Sequence, residues 1–319
     1  MKAVMKTRPK PGVEVKEIPV PTIRGDEVLI KVRAAAICGS DLGIYNYTPA
    51  YSKMKLPVVM GHEFSGEIVE AGPAVEGFKP GDRVLAESVK ACGGCGFCRS
   101  GMSNLCDGST LFGIHTDGGF AEYIAVPHTL LHGVPDTMSY EEAALVEPLS
   151  NALHFVRDIT PFRFGDLVVV QGCGPIGLFS AQLFRLGLET LNIEEESLRD
   201  RVTEISDGEG ADVAYVAVGA PEAVKQATEI VKKRGHVTVV GIFGKDVALD
   251  MTWVVRRELT IAGAYDAKPS NFPTSIDLIS RGQVDVMKVL THRFSLDQAE
   301  EAFRVALDRS GGKVEFIPG

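Results

Sequence analysis

A glycine-rich turn near the middle of the chain limits the possible folds more than any other feature of the sequence. The turn is Gly172-Cys173-Gly174-Pro175-Ile176-Gly177; it follows an apolar run at residues 167–171 and leads into helical periodicity at 178–186. A strand joined to a helix by G-x-G-x-x-G directs backbone N–H groups and the helix dipole at a pyrophosphate. The sequence therefore predicts a dinucleotide-binding turn formed by Gly172, Gly174, Pro175, Ile176 and Gly177. We interpret Cys173 as a small packing residue.

The segments that follow this turn alternate between apolar strands and helices. Apolar runs at 213–218 and 236–241 flank a helical stretch at 221–233. Alternation of this kind is typical of a parallel sheet covered by helices. The fold class predicted for this part of the chain is therefore α/β.

The beginning of the chain has a different character. Short segments rich in β-branched residues occur at 28–32, 66–70 and 121–126, separated by Gly, Pro and Asp, which predicts a β-rich domain. A helix is expected at 141–156, and a helix, a short strand and another helix after residue 269. Because 319 residues are too many for one small core, we predict two domains. The β-rich catalytic domain comprises 1–148 and 268–319, and the cofactor domain comprises 149–267.

Four of the six cysteines lie within fifteen residues, in the pattern Cys92-x2-Cys95-x2-Cys98-x7-Cys106. Four closely spaced thiolates on a glycine-rich loop can close a tetrahedral shell around zinc, with no position left for a substrate. The alternatives are an iron site with the same sulfurs and four free thiols. The pattern favours a structural zinc.

A second group of candidate metal ligands lies earlier in the chain. Cys38 stands in Cys38-Gly39-Ser40-Asp41, and His62 and Glu63 belong to the pattern Gly61-His62-Glu63-x2-Gly66-x5-Gly72-x2-Val75-x5-Gly81-Asp82-x-Val84. Cysteine, histidine and carboxylate are ligands of catalytic zinc sites that keep one position open. The pattern resembles the signature of the zinc-containing alcohol dehydrogenases, in the medium-chain dehydrogenase/reductase family. The resemblance extends from end to end of the chain.

The resemblance implies a fold and a set of site residues. The fold would be a GroES-like, β-rich catalytic domain joined to a Rossmann domain, with two Zn2+ per chain. Cys38 and His62 would bind the catalytic zinc, and Glu63 would be a ligand or exchange with water. Glu147 stands where the sorbitol and ketose-reductase branch has a glutamate ligand, direct or through water; otherwise it is a helix-start carboxylate. Val218 and Gly241 would flank the nicotinamide.

The same resemblance implies the reaction. Ser40 would hydrogen-bond the substrate alcohol and begin a proton relay, unless it is simply a turn serine. Many polyol and threonine dehydrogenases have a histidine three residues further on, where this chain has Gly43, so the next relay member is left open. The expected activity is oxidation of a secondary alcohol, a polyol or sugar alcohol, with NAD, NADP not being excluded. The alternatives are L-threonine 3-dehydrogenase and a non-enzymatic, dinucleotide-binding sensor or structural protein.

The net charge and hydropathy of the chain indicate which binding partners and which cellular location to expect. The formal net charge of −9 argues against nucleic acid and anionic membranes, which repel an acidic surface. The beginning of the chain has no apolar signal region, and its longest apolar stretch, 167–184, is broken by glycines and a proline. We therefore expect a cytoplasmic enzyme that acts on a small molecule, and the family suggests a homo-oligomer, either a dimer or a tetramer.

One part of the expected cofactor domain has no counterpart in the sequence. The second strand of a dinucleotide fold ends in an acidic residue about 20 positions past the glycines. Glu194, Glu195 and Glu196 fit that count, but the segment around them resembles a later part of the family's fold. A strand, a helix and their loops, roughly 25 to 30 residues in all, are therefore missing near 188–190. We expect the natural protein to be longer by about that amount.

Overall fold

A seven-stranded sheet organises the first of the two units into which the chain divides. The protein was examined as a computed structural model that describes residues 1–184 and 189–319. The first unit comprises Met1–Ser150 and Lys268–Gly319, and the second comprises Asn151–Ala267.

The described residues form sixteen strands and ten α-helices. In chain order, the strands are β1 (Lys2–Lys6), β2 (Glu14–Glu17), β3 (Glu27–Ala36), β4 (Val58–Val59), β5 (Glu63–Ala71), β6 (Arg83–Ala86), β7 (Val89–Lys90), β8 (Thr110–Leu111), β9 (Tyr123–Pro127), β10 (Leu131–Gly133), β11 (Val168–Gln171), β12 (Ala211–Val216), β13 (Val231–Val239), β14 (Thr260–Gly263), β15 (Leu290–Phe294) and β16 (Lys313–Phe316). The α-helices are α1 (Gly39–Tyr45), α2 (Gly96–Arg99), α3 (Tyr140–Ala144), α4 (Val146–Leu153), α5 (Pro175–Phe184), α6 (Leu198–Ile205), α7 (Pro221–Ile230), α8 (Met251–Arg256), α9 (Asn271–Ser280) and α10 (Ala299–Leu307). A π-helical turn, His154–Ile159, follows α4.

The sheet of the first unit has the strand order β10-β6-β5-β3-β16-β15, and β9 also pairs with β3. β3 is mostly buried because its long run of apolar residues packs on both faces. Aromatic rings fill the core beside it: Phe120 lies 4.9 Å from Phe316 and 6.3 Å from Phe303, centroid to centroid, in edge-on contacts. The first two strands predicted in this region lie within β3 and β5, and the third, at 121–126, overlaps β9 but begins two residues too early. The β-rich character of the unit is confirmed.

The second unit is built on a parallel sheet of order β11-β12-β13-β14. Its apolar strands are covered by α7, which buries Val224 and Ala227 against Val216 and Val237. The α/β class predicted from the strand–helix alternation is confirmed.

The helix predicted at 221–233 is too long by three residues. α7 ends at Ile230, and Val231 takes an extended conformation in which it pairs with Ala211 of β12. Helical periodicity alone cannot reveal this end, because a pairing partner twenty residues away in the chain sets it.

The four-cysteine loop forms a small lobe around α2, with β7 and β8 paired beside it. A tetrahedral shell with Zn–S bonds of about 2.3 Å has its sulfurs about 3.8 Å apart. In the lobe the Cys95 and Cys98 sulfurs lie 3.5 Å apart, and those of Cys92 and Cys98 lie 4.0 Å apart. Backbone N–H groups of Gly94 and Cys95 lower the pKa of Cys92 to about 6, so this thiol readily becomes the thiolate that zinc requires. The cysteine set therefore fits a structural zinc.

Removal of one lobe sulfur should harm folding more than chemistry. Because metal binding is coupled to folding, we expect Cys98→Ala to lose at least about 2 kcal/mol of stability, which lowers Tm by roughly 4 to 8 °C for a unit of this size. Thermal unfolding with metal analysis measures this. Cys173 is exposed rather than packed, so its interpretation as a packing residue is wrong. Cys173→Ala removes this thiol outside the lobe and is the control, which should keep its Tm. A Cys98→Ala protein as heat-stable as the parent but inactive would reverse our division between structural and catalytic metal.

One edge of the sheet of the second unit is consistent with the segment expected to be missing near residues 188–190. Within residues 1–184 and 189–319, β11 pairs only with β12, so its other edge has no neighbour there. Residues 185–188, which include the end of the helix predicted at 178–186, lie outside the described residues.

The intact mass of the natural protein tests whether a segment is missing from the cofactor unit. We expect a mass above the 34.3 kDa of this sequence by roughly 25 to 30 residues, because an unpaired first strand lacks the strand and helix that complete a dinucleotide fold. A mass of 34.3 kDa would show a genuine deletion, and the cofactor assignment would then fail.

Candidate functional site

Cys38 lies between β3 and α1, at the N-cap of the helix. The Asp41 carboxylate accepts a hydrogen bond from the Cys38 backbone N–H at 2.9 Å, which fixes the first turn and with it the direction of the thiol. Asp41 is itself fully buried. The sequence motif includes Asp41, but sequence reasoning assigned it no role.

His62 is held by the close packing of the residue before it. Gly61 has φ +91°, and a Cβ at this position would lie 2.3 Å from the Phe120 ring. Any other residue would force Phe120 out of the core and strain the backbone. The position of His62, directly before β5, therefore depends on Gly61.

Cys38, His62 and Glu63 come together in the interior. One ligand atom from each lies within 4.8 Å of the other two, and His62 and Glu63 are buried. The Ser40 hydroxyl lies 3.4 Å from Nε2 of His62, so it borders the same group. A thiol, an imidazole and a carboxyl that converge in this way could hold a metal ion, and they are the ligand types found in catalytic zinc sites.

The electrostatics of this group favour binding of a cation. Burial raises the pKa of the Cys38 thiol, but His62 and Lys313 offset the effect and bring it to about 7. Burial alone would lower the pKa of His62, yet Asp41 and Cys38 raise it well above its usual range. Nδ1 of His62 and Oδ1 of Asp41 lie 3.9 Å apart, and neither has a hydrogen-bond partner within the described chain. Asp41 and Cys38 favour a positive charge on His62, and a metal ion held by Cys38 and His62 would take the place of the proton there, so the residues fit the zinc that the sequence implies.

Glu147 lies near this group but outside the set of three. It is buried close to the beginning of α4, and its charge acts on His62, Glu63 and Lys313. The carboxylate is therefore a neighbour of the site, and its role as a ligand remains a proposal.

A buried lysine that sequence reasoning missed also reaches this group. Nζ of Lys313, on β16, lies 2.6 Å from Oε1 of Glu63 and 2.9 Å from the Ile37 carbonyl. Lys313 is 250 residues from Glu63 in the chain, and only the pairing of β16 with β3 brings the two together. No local sequence signal could have identified it.

The glycine turn has the shape that a dinucleotide requires. Gly172 has φ +108°, and a Cβ on Gly177 would lie 1.9 Å from the Gly172 carbonyl oxygen. A Cβ on Gly174 would meet nothing within 4 Å, so the backbone is open to a ligand there. These are the three roles of the glycines in a pyrophosphate-binding turn. Pro175 and Ile176 begin α5, whose N-terminus faces this turn.

The two remaining cofactor candidates meet at the ends of neighbouring strands. Val218 follows β12 and Gly241 follows β13. A Cβ on Gly241 would lie 2.4 Å from the Val218 carbonyl oxygen. The two backbones therefore approach closely beyond the carboxyl ends of a parallel sheet, where such sheets bind ligands.

Known proteins resemble this chain along its whole length. The family model "Alcohol dehydrogenase GroES-like domain" matches residues 24–136, and "Zinc-binding dehydrogenase" matches residues 181–281. An L-threonine 3-dehydrogenase of Bacillus licheniformis is 35% identical, over 100% of this chain and 99% of the relative. A sorbitol dehydrogenase of Halalkalibacterium halodurans is 32% identical over the same shares.

A solved structure gives the same result. The zinc-binding dehydrogenase from Sinorhizobium meliloti 1021, bound to NADP, has a TM-score of 0.91 and 30% identity, with 99% of each chain covered. The alignment with the Bacillus relative spans 344 positions against the 319 residues of this chain, so at least 25 positions are occupied by the relative alone. The resemblance inferred from the zinc signature is confirmed, as is the pairing of a GroES-like domain with a Rossmann domain. The chain belongs to the zinc-containing alcohol dehydrogenase family and is a zinc-dependent oxidoreductase that uses a nicotinamide cofactor.

Proposed function

We propose that the enzyme oxidises a secondary alcohol group of a polyol or sugar alcohol to the ketone. The observation that carries the proposal is the buried convergence of Cys38, His62 and Glu63, with Glu147 as a neighbour. Glutamate at position 147 is typical of the sorbitol and ketose-reductase branch. The similarity to a sorbitol dehydrogenase supports the same substrate class.

Each group of residues at the site has a separate role in this reaction. Zinc held by Cys38, His62 and a carboxylate would supply the Lewis acid that makes the substrate hydroxyl more acidic. Ser40, beside His62, holds the proton of that hydroxyl and passes it outward. The glycine turn would hold the pyrophosphate of the nicotinamide cofactor, which would supply the hydride acceptor.

L-threonine oxidation is the second candidate, because the Bacillus relative is an L-threonine 3-dehydrogenase. One residue argues against it, since position 147 is glutamate rather than the aspartate usual in threonine dehydrogenases. Position 43 is glycine, where many polyol and threonine dehydrogenases alike have a histidine. A Cβ on Gly43 would lie 2.5 Å from the Tyr51 ring, so Tyr51 already occupies the space that a histidine would need. The non-enzymatic alternative is not supported, since the matching relatives are dehydrogenases.

A substrate screen separates the two enzymatic candidates. Sugar alcohols, sugar-acid alcohols and L-threonine would each be offered with NAD and with NADP, and reduction of the cofactor measured. Turnover of a polyol at a higher kcat/KM than L-threonine supports the proposal. A clear preference for L-threonine would replace it. The cytoplasmic location and the homo-oligomeric state remain predictions.

No helix in the described part of the chain combines the length and apolar character needed to span a membrane.

Replacement of Ser40 by alanine should slow turnover without loss of metal. We expect kcat to decrease by a factor on the order of 10² to 10⁴, as is usual when a proton-transfer group is removed. Ser40→Thr keeps a hydroxyl and should retain most of the activity. Normal turnover by Ser40→Ala at full zinc content would remove Ser40 from the mechanism.

Replacement of Glu147 by alanine should weaken the catalytic site and leave the lobe zinc in place. We expect reduced occupancy of one zinc or reduced activity, because a buried carboxylate near the site is lost. Glu142→Ala is the matched control: Glu142 caps the start of α3 through the Ser139 N–H, so its loss should affect stability alone. Two zinc ions per chain with full activity in Glu147→Ala would make Glu147 a helix-start carboxylate only.

A further inference from the structure

We propose that Glu315 is a positioning residue for the catalytic metal: it is a second acceptor for Lys313, which allows Glu63 to leave Lys313 and join the zinc. The inference rests on the proposed zinc site, and it concerns a residue that has no role in the reaction as described so far.

Strand register places the two carboxylates on one face of the sheet. Ala36 of β3 is directly opposite Glu63 of β5 on one side and Glu315 of β16 on the other. Residues paired in this way point to the same face, and only the methyl group of Ala36 stands between the two acids. Lys313 is two residues before Glu315 in β16, so it also points to that face.

The buried carboxyl group of Glu315 lacks hydrogen-bond partners within the described residues. It is 0% exposed, and neither carboxyl oxygen has a hydrogen-bond partner within the described chain. Lys313 is also buried and directs its ammonium group at Glu63 and the Ile37 carbonyl. A carboxyl buried without a partner is unfavourable, so its presence beside a buried ammonium group requires an explanation.

The other charged groups near Glu315 are already engaged. Arg293 of β15 is opposite Glu315 in the sheet, but its Nε donates to Glu141 of α3. The charges of Glu141, Lys313, Glu63 and Arg293 all act on Glu315. Arg293 is exposed to solvent, so Lys313 is the buried cation for which Glu315 is a second acceptor.

A second acceptor for Lys313 is needed if Glu63 is to bind the metal. An oxygen of Glu63 lies within 4.8 Å of the ligand atoms of Cys38 and His62, but Glu63 also neutralises Lys313. If Glu63 alone moved to the metal, a buried ammonium group would lose its partner, which is strongly unfavourable. Glu315, one step along the same strand face, can take over that ammonium group. Glu63 can then leave Lys313 and join the metal without an unpaired buried cation.

The test compares zinc affinity at the catalytic site in the parent and in Glu315→Gln, by chelator competition, with the lobe zinc as internal reference. We expect roughly tenfold weaker binding in the variant, within the range usual for residues that support metal ligands, because Lys313 then stays on Glu63. Glu315→Asp keeps the charge and should bind zinc more tightly than Glu315→Gln. Val314→Ala, a buried change on the opposite face of β16, should leave the affinity unchanged.

A second set of variants separates this role from a general effect of charge. In a Lys313→Met background, Glu315→Gln should change the zinc affinity no further. An equal effect with and without Lys313 would overturn the proposal, as would unchanged affinity in Glu315→Gln. If Glu315→Gln does not fold, Glu315→Leu replaces it, and parental affinity in that variant would also overturn the proposal. A parent protein that binds no zinc at Cys38 and His62 would instead refute the proposed function.

Discussion

The structure of the first unit depends on a concentration of ionisable groups that would be unfavourable in any other part of a protein core. The clustered groups lie beside one sheet and are Cys38, Asp41, His62, Glu63 and Lys313. Burial of such groups is tolerated only where each finds an opposite charge or a metal. The ammonium group of Lys313 neutralises the carboxylate of Glu63. Zinc held by Cys38, His62 and Glu63 would supply the positive charge that the other buried groups need. The surrounding elements supply the rigidity, since Glu63 lies on β5, Lys313 lies on β16, and Cys38 follows β3, the strand that pairs with both.

Short-range signals in the sequence were sufficient to propose the candidate metal ligands that the fold brings together. His62 and Glu63 belong to one local pattern, Cys38 precedes a short helix, and the four lobe cysteines follow each other within a single loop. In each case the chemistry lies in residue types at fixed spacing, which a sequence displays directly. The glycine turn was predictable for the same reason, because the positive φ of Gly172 and the close approach at Gly177 each require glycine.

What the sequence could not show depends on pairing between distant segments. Lys313 and Glu315 reach the site because β16 inserts between β3 and β15, and the final strand has no local signal that predicts this neighbour. The end of α7 was misplaced for the same reason, since pairing of Val231 with β12 stops the helix. Asp41 differs, because it stands within the quoted motif and its role follows only from seeing its carboxylate against the Cys38 N–H. The sequence shows which residues are present, but a structure is required to show which buried charges interact.

The central claim is that this site transfers a hydride from a carbinol carbon to nicotinamide. The most direct measurement uses a sugar alcohol that carries deuterium on the reacting carbon, and follows the label by mass spectrometry of the cofactor. The account predicts reduced nicotinamide that contains one deuterium for each ketone formed, in protein that holds two zinc ions per chain. Ketone formation with unlabelled cofactor, or no transfer from any secondary alcohol by zinc-replete protein, would contradict it.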